Sequence, residues 1–402
     1  MSAHAAFLPA SNKLGHTHTA PVLALRVSAN YVVSGSADRL VRVWFKSNSS
    51  LALPPLSSFP EGAIKSVEIS EELGLVFGGT SKGHIVIWRL SDGKRVQVEP
   101  AHNDTVLCLA IDTMTLVSTS RDRNVKVWEL QAADRFESGG LQLRHTLHGH
   151  SMAVLAAKLS NDYIYTSSGD RSIRIWDRHS GLLVRSLEGL ASITQFQLRK
   201  GIDGTEELLG ACTDNMVRLF NTDTGAELAC LSGHTNVVCS AQFIDLAPSA
   251  SGYPQIASAS YDGTVWIWTP EEQLPYSWHC AYKLSFSDTV VNTCTFQPQT
   301  TTTDDPVREE RIRKMSELAR QQARTVYRAL DMQASNGYLY CCGESAHVVV
   351  WPLTFNGILV QPASAFSHDP ATQLSHPPRP QTSPPASAST KSPTSSSLCS
   401  SS

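Results

Sequence analysis

The residues of this chain that could do chemistry are a histidine, a hydroxyl residue and an aspartate that recur together at fixed spacings. In three places the histidine precedes the aspartate by twenty positions, and the hydroxyl stands four positions before the aspartate. A fourth set keeps this order with a longer first gap. The sets are His18, Ser34 and Asp38; His102, Ser118 and Asp122; His150, Thr166 and Asp170; His234, Ser258 and Asp262. Imidazole, hydroxyl and carboxylate are also the components of a nucleophilic triad.

A tryptophan six positions after each aspartate favours a structural interpretation instead. These residues are Trp44, Trp128, Trp176 and Trp268. One active site needs one such set, whereas four sets with the same tryptophan are typical of a network repeated in every unit of a repeat protein. Indole, hydroxyl, imidazole and carboxylate can form a chain of donors and acceptors, which buried polar groups require. We therefore predict four structural tetrads and no catalytic residue.

Three further units extend the series to seven. Their aromatic residues and the residues in the aspartate position are Phe220 with Asp214, Trp88 with Lys82, and Trp351 with Ser345. The intervals of roughly forty to fifty residues fall in the range of propeller repeats, and the last is longer because it contains an insertion. Short alternating apolar runs bounded by polar turns, as at residues 31–34 and 40–44, predict strands in each unit.

Several segments resemble the motifs of the WD-repeat (WD40) family. They are Leu147-His148-Gly149-His150, Thr166-Ser167-Ser168-Gly169-Asp170, Arg174-Ile175-Trp176-Asp177 and Leu231-Ser232-Gly233-His234. The resemblance covers about residues 15–361 and implies a β-propeller with four antiparallel strands per blade. We accordingly predict an all-β fold: an N-terminal segment over residues 1–14, a seven-bladed WD40 propeller over 15–361, and a disordered tail over 362–402.

Two segments compete to supply the outer strand of blade 7, namely residues 5–8 and residues 358–361. We favour the C-terminal segment. Asn356-Gly357 after Trp351 resembles Ser180-Gly181 after Trp176, and each pair precedes an apolar run.

An insertion in blade 7, over residues 304–331, is predicted to form a basic amphipathic helix. It would lie between a first strand at about 291–296 and a second at about 338–341. Asp305 can cap it, with Pro306 at the first helical position. Arg320 and Arg324 are its candidate partner-binding residues. Such a helix can dock on a partner protein, RNA or an anionic membrane, and the alternative is that it packs on its own propeller.

The tail is rich in Ser, Pro and Thr, which predicts disorder. Ser383 and Ser392 each precede a proline and are candidate phosphorylation sites.

Composition bears on the class of protein. With 41% hydrophobic residues and a formal charge of -3, the chain can build a core but has no overall attraction for polyanions. It has no basic, apolar leader and no stretch near the ~20 apolar residues of a membrane span, so we expect a cytoplasmic or nuclear location.

The nine cysteines are irregularly spaced, which favours reduced core thiols. We find no phosphate loop or metal-ligand spacing, and we expect no cofactor, metal or small-molecule substrate.

Function is expected to reside on the propeller surface. In WD propellers the residue before the turn aspartate is expected on the top face, and here Arg121 and Tyr261 are the notable members, as candidate partner-binding residues. The chain is similar to the propellers of F-box/WD ubiquitin-ligase adaptors, in which matching Arg and Tyr positions bind phosphorylated degrons. The first repeat begins near His18, so we expect no F-box.

We predict a non-catalytic scaffold or adaptor in a multi-subunit complex. The alternatives are a ubiquitin-ligase substrate receptor for phosphorylated proteins and a subunit of an RNA-associated complex.

Overall fold

The alternating apolar runs form antiparallel strands in a computed structural model of the chain. The model describes residues 6–8, 17–130, 140–188, 191–201, 204–244, 253–272, 274, 276–286, 289 and 327–353. All of these residues belong to one compact unit, Met1–Phe366.

Seven four-stranded antiparallel sheets make up the blades. Blade 1 contains β2 (Val22–Val27), β3 (Tyr31–Ser36), β4 (Leu40–Phe45) and β5 (Leu56–Ser57). Blade 2 contains β6 (Ile64–Ser70), β7 (Leu75–Thr80), β8 (His84–Arg89) and β9 (Arg95–Pro100). Blade 3 contains β10 (Val106–Ile111), β11 (Thr115–Ser120), β12 (Val125–Leu130) and β13 (Leu141–Leu147). Blade 4 contains β14 (Val154–Leu159), β15 (Tyr163–Ser168), β16 (Ile173–Asp177) and β17 (Leu183–Leu187).

The remaining three blades continue the ring. Blade 5 contains β18 (Ile193–Lys200), β19 (Glu206–Cys212), β20 (Val217–Asn221) and β21 (Glu227–Leu231). Blade 6 contains β22 (Val238–Ile244), β23 (Gln255–Ser260), β24 (Thr264–Pro270) and β25 (Trp278–Ser285). Blade 7 contains β26 (Ala329–Ser335), β27 (Tyr338–Gly343), β28 (Val348–Pro352) and β1 (Ala6–Leu8). The first strand named in each blade is innermost and packs against its counterparts in both neighbouring blades, from β2 round to β26 and back. The chain is therefore a seven-bladed propeller, as predicted.

The ring closes through the N-terminal strand, which corrects our preference for residues 358–361. In β1, Ala6, Phe7 and Leu8 pair antiparallel with Val350, Val349 and Val348 of β28. Leu8 is buried among side chains of blades 1 and 7, including Trp44 and Tyr340. Residues 358–361 lie outside the described residues. The first and last parts of the chain thus share one sheet, which joins the two ends of the ring.

The insertion also lies elsewhere than predicted. The innermost strand of blade 7 is β26, so the inserted residues precede the first strand of that blade instead of separating its first and second strands. Residues 329–331, placed at the end of the predicted helix, belong to β26, where Ala329 and Met332 are fully buried in the core. Tyr327 and Arg328 precede β26 and are not helical, and residues 291–296 and 304–326 lie outside the described residues.

The core consists of apolar side chains packed between adjacent blades. One cluster joins Val33 and Val41 of blade 1 to Val76 and Trp88 of blade 2. The blades approach closely, since a Cβ on Gly35 would overlap the side chain of Ile64 in the next blade. Four cysteines are buried there with free thiols: Cys212, Cys239, Cys341 and Cys342. Among the described residues, no helix has the length and apolar character needed to cross a bilayer.

Candidate interaction face and the polar tetrads

Each tetrad joins the loop that enters a blade to the second and third strands of that blade. In blade 4, His150 Nδ1 lies 2.9 Å from Asp170 Oδ2, and His150 Nε2 lies 2.9 Å from Thr166 Oγ1. The indole nitrogen of Trp176 donates to the same hydroxyl at 2.9 Å. The same contacts span 2.8 to 3.2 Å in blades 1, 3 and 6. The structure thus brings all sixteen tetrad residues together in four sets.

The hydrogen bonds of a tetrad run in one direction. The indole N–H donates to the hydroxyl oxygen, the hydroxyl donates to Nε2, and Nδ1–H donates to the carboxylate, an assignment that satisfies every group.

Burial lowers the pKa of His18, His102 and His150, although the aspartate partners oppose this shift. Burial alone would raise the pKa of Asp38 and Asp170, but hydrogen bonds from the histidine and nearby donors lower it to about 2 in each. Neutral imidazole and ionised carboxylate are therefore the stable pair.

Burial separates these tetrads from a catalytic triad. The hydroxyl residues Ser34, Ser118, Thr166 and Ser258 have 0% exposure. A nucleophile must reach its substrate, and each of these hydroxyls is instead enclosed between an indole and an imidazole. The geometry supports a structural role for all four sets.

In the three blades without a full tetrad, other contacts hold the turn between the second and third strands. In blade 5, Asp214 pairs with Arg218 at 2.6 Å. In blade 2, Lys82 donates from Nζ to the carbonyl of Pro60 at 3.0 Å. In blade 7, Ser345 Oγ accepts the backbone N–H of His347 at 3.1 Å.

The turns between the second and third strands of all blades lie on one face, which we call the top face. Arg121 is in this turn of blade 3, where its backbone N–H is bonded to the Thr105 carbonyl and its side chain is exposed. Lys65 lies at the start of the innermost strand of blade 2. Partial burial lowers the pKa of Lys65, and the nearby charge of Arg121 lowers it further. The sequence analysis did not select Lys65, although a lysine in an innermost strand could have indicated a functional residue.

Tyr261 lies in the equivalent turn of blade 6, three blades from Arg121. The guanidinium of Arg328 stands 5.6 Å from the centre of its ring, and Arg328 also pairs with Glu344 at 3.6 Å. Tyr261 is therefore half-buried under its own chain, and burial raises its pKa. Arg121 and Tyr261 thus lie on the same face, in turns of different blades.

The same contacts locate the ends of the insertion. The chain leaves β25 at Ser285 and returns at Arg328, directly before β26, and these positions are on the top face. The other candidate residues, Arg320, Arg324, Ser383 and Ser392, lie outside the described residues.

Charged side chains from several innermost strands occupy the central channel. Arg26 and Glu68 form an ion pair at 2.7 Å. Asp331 accepts the backbone N–H of Leu25 at 3.0 Å and the amide of Gln195, two blades away in the ring, at 3.2 Å. The cavity that remains among the described residues there is about 130 Å³, well below the roughly 300 Å³ of a small ligand site.

Comparison with known proteins agrees with this architecture. Four segments match the family model described as WD domain, G-beta repeat: residues 11–44, 93–129, 141–177 and 225–269. They carry the four tetrad tryptophans. The fold is that of a seven-bladed β-propeller, and the chain belongs to the WD-repeat family. Blades 2, 5 and 7 lack a full tetrad, and the matched segments include only the outer strands of blades 2 and 5, but all three blades have the same four strands.

Similarity to individual proteins is more distant. Nuclear distribution protein PAC1 of Candida dubliniensis is 27% identical over 194 residues, which cover 46% of this chain and 38% of that protein. The Ribosome biogenesis protein WDR12 homolog of Nematostella vectensis is 25% identical over 278 residues, covering 62% of this chain and 64% of that protein. The chain thus spans less than two thirds of either relative. The WD40 β-propeller domain of Doa1 matches with a TM-score of 0.59 at 19% identity, over 83% of this chain and 93% of that one, and shares the fold.

Proposed function

We propose that this chain is a non-catalytic scaffold or adaptor that binds protein partners on the top face of its propeller. Members of the WD-repeat family generally mediate protein–protein interactions and are generally non-catalytic. The observation that carries the proposal is the placement of the insertion. It leaves and rejoins the ring on the face that also presents Arg121, so a partner can contact both.

The surface around Arg121 has the chemistry of a binding site. An exposed guanidinium offers paired hydrogen bonds to a carboxylate or phosphate, and arginine is enriched in the energetically important parts of interfaces. Tyr261 contributes indirectly, because its ring packs against the guanidinium of Arg328. We therefore assign Arg121 to direct contact with a partner, and Tyr261 to holding the return of the insertion in place.

Affinity purification from native cells with mass spectrometry tests the proposal. One variant replaces residues 304–326 by a short Gly/Ser loop, which leaves β26 and the buried Asp331 intact. A second variant is Arg121→Glu. The matched control is Arg144→Glu, an exposed residue in the outer strand of the same blade, away from the top face. We expect one or both top-face variants to lose defined partners that the control retains. The same partners with all three variants would refute a top-face role.

A more specific function, as a ubiquitin-ligase substrate receptor for phosphorylated proteins, is supported by the exposed Arg121. In that case ubiquitin-ligase subunits should be among the recovered proteins, and phosphatase treatment of the lysate should release the partner that depends on Arg121. Recovery that is insensitive to phosphatase would exclude this version.

An RNA-associated complex is the other candidate, since one relative is named as a ribosome biogenesis protein. It predicts partners that are lost after ribonuclease treatment and after Arg320→Glu with Arg324→Glu. We also propose a cytoplasmic or nuclear location, to be tested by cell fractionation.

A further inference from the structure

Six exposed cations lie together on blades 1 to 4 of the top face, and we call them the basic arc. They are Arg39, Lys65, Lys82, Arg121, Arg123 and Arg171. Among the contacts of the described residues, no carboxylate pairs with any of the six. The acidic neighbours are otherwise engaged. The turn aspartates Asp38, Asp122 and Asp170 are bound to the tetrad histidines, and their three negative charges reduce but do not cancel the six positive ones. Glu61 pairs with Arg95, and Asp104 accepts the N–H of Thr105. The positive charge of this half of the face is thus available to a ligand.

The other half of the top face is different. In blade 5, Arg218 is held by Asp214 at 2.6 Å and by Glu227 at 2.5 Å. In blade 7, Glu344 pairs with Arg328. In blade 6, Lys283 of β25 lies 3.7 Å from the centre of the Trp266 ring. Among the described residues of the turns themselves, the exposed cations without a carboxylate partner therefore lie on blades 1 to 4.

Three of the arginines occupy a backbone position that does not favour arginine. Arg39, Arg123 and Arg171 follow the turn aspartate with φ of 69°, 73° and 66°, in the left-handed region. Blades 2 and 6 have glycine at this position, Gly83 and Gly263, which adopts it without steric cost. Folding alone would be served at least as well by glycine in blades 1, 3 and 4. The arginines are better explained by what their side chains bind.

Two apolar side chains are exposed beside the basic arc. Phe59 is 63% exposed and lies 5.9 Å from the Arg39 guanidinium. Met152 is 55% exposed and borders the turn of blade 4 at Gly169. Phenylalanine and methionine are enriched in protein–protein interfaces relative to the rest of the surface.

We propose that the basic arc binds an acidic segment of a partner protein, with its carboxylate or phosphate groups on the arginines and lysines and an apolar side chain against Phe59 or Met152. The inference rests on the proposed scaffold function and specifies the ligand class for one half of the top face. Single exposed ion pairs contribute little, so recognition requires several of the six cations at once. A protein segment fits better than RNA because single-stranded RNA is bound on stacked aromatic platforms, and Phe59 is the one described aromatic beside the arc.

Fluorescence anisotropy with the full chain tests this inference. The probes are a labelled peptide in which glutamates flank a leucine, the same peptide with phosphoserines, a glutamine counterpart, and labelled poly(U). The variant Arg39→Gly, Arg123→Gly and Arg171→Gly removes three charges at positions where glycine relieves the backbone, so its melting temperature should not fall. The control Lys94→Gln, Arg144→Gln and Lys200→Gln removes three exposed cations elsewhere.

We expect the glutamate or phosphoserine peptide to bind the natural chain and to weaken at least about tenfold with the glycine variant, but not with the control. The corresponding triple lysine variant, which keeps the charge, should bind within a few-fold of the natural chain. Equal binding by the glycine variant, no binding of either acidic peptide, or preference for poly(U) would overturn the inference.

Partner recovery separates this result from the scaffold proposal. If the glycine variant recovers every partner while the replacement of residues 304–326 loses some, the basic arc is not the binding surface but the scaffold function holds. If the intact chain recovers no defined partner, the scaffold proposal itself fails.

Discussion

The hydroxyl at the centre of a tetrad should be worth a large part of the stability of its blade. Thr166→Val removes this hydroxyl while keeping the shape of the side chain, so it creates almost no cavity. Thr166 has 0% exposure, and its hydroxyl contacts both His150 Nε2 and Trp176 Nε1 at 2.9 Å. Each buried polar group left without a partner costs about 1–3 kcal/mol, so leaving two groups without a partner should cost about 2–6 kcal/mol.

Urea unfolding followed by tryptophan fluorescence measures this cost. A loss of that size should lower the midpoint by roughly 1 M with an unchanged slope. Thr166→Ser is the matched control, because serine fills this position in the other three tetrads and keeps the hydroxyl. Thr235→Val, on an exposed loop residue whose side chain has no described hydrogen bond, controls for the change of residue type.

The comparison between valine and serine decides the question. If Thr166→Val shifts the midpoint no more than Thr166→Ser, the tetrad hydroxyl does not stabilise the blade, and the structural interpretation of the repeated residues is wrong for this unit.

Two further predictions concern the ring and its response to acid. Deleting residues 1–9 removes β1 and the buried Leu8. It should therefore lower the melting temperature much more than deleting residues 354–402, which leaves every described strand in place. A larger loss from the C-terminal deletion would contradict the pairing of β1 with β28. Stability should fall as the pH drops below about 6.5, because His18, His102 and His150 take up protons more readily in the unfolded chain than in the fold, where burial lowers their pKa. It should fall again between about pH 4 and pH 2, where Asp38 and Asp170, with a pKa of about 2 in the fold, lose the charge that the fold stabilises. Urea midpoints at several pH values check the second prediction, and a flat profile from pH 7 to pH 5 would contradict the histidine part.

The blades were predictable because the information for each is local. The histidine, hydroxyl, aspartate and tryptophan of a unit lie within about fifty residues, and period-two apolar runs surround them. Even units that have lost the aspartate, such as the one ending in Trp88, keep the apolar pattern. The expected number of blades therefore agrees with the seven sheets observed.

Ring closure was not predictable in the same way. Two short apolar segments, one at each end of the chain, had equivalent patterns, and the turn motif after Trp351 favoured the wrong one. Pairing between residues more than 300 positions apart leaves no local trace in the sequence. The position of the insertion also depends on which distant strands pair. Periodicity alone could not decide whether the first strand of blade 7 lies at residues 291–296 or at residues 329–335.

The sequence by itself determined the repeat, its four-stranded unit and the polar residues that bind each unit together, because these depend on near neighbours in the chain. The tertiary structure alone decided which strand closes the ring, that Tyr261 lies beneath Arg328, and that cations from four separate blades form the basic arc. These features join residues that are far apart in sequence. They arise because the propeller brings equivalent turns of all its blades to one face, where their charges add.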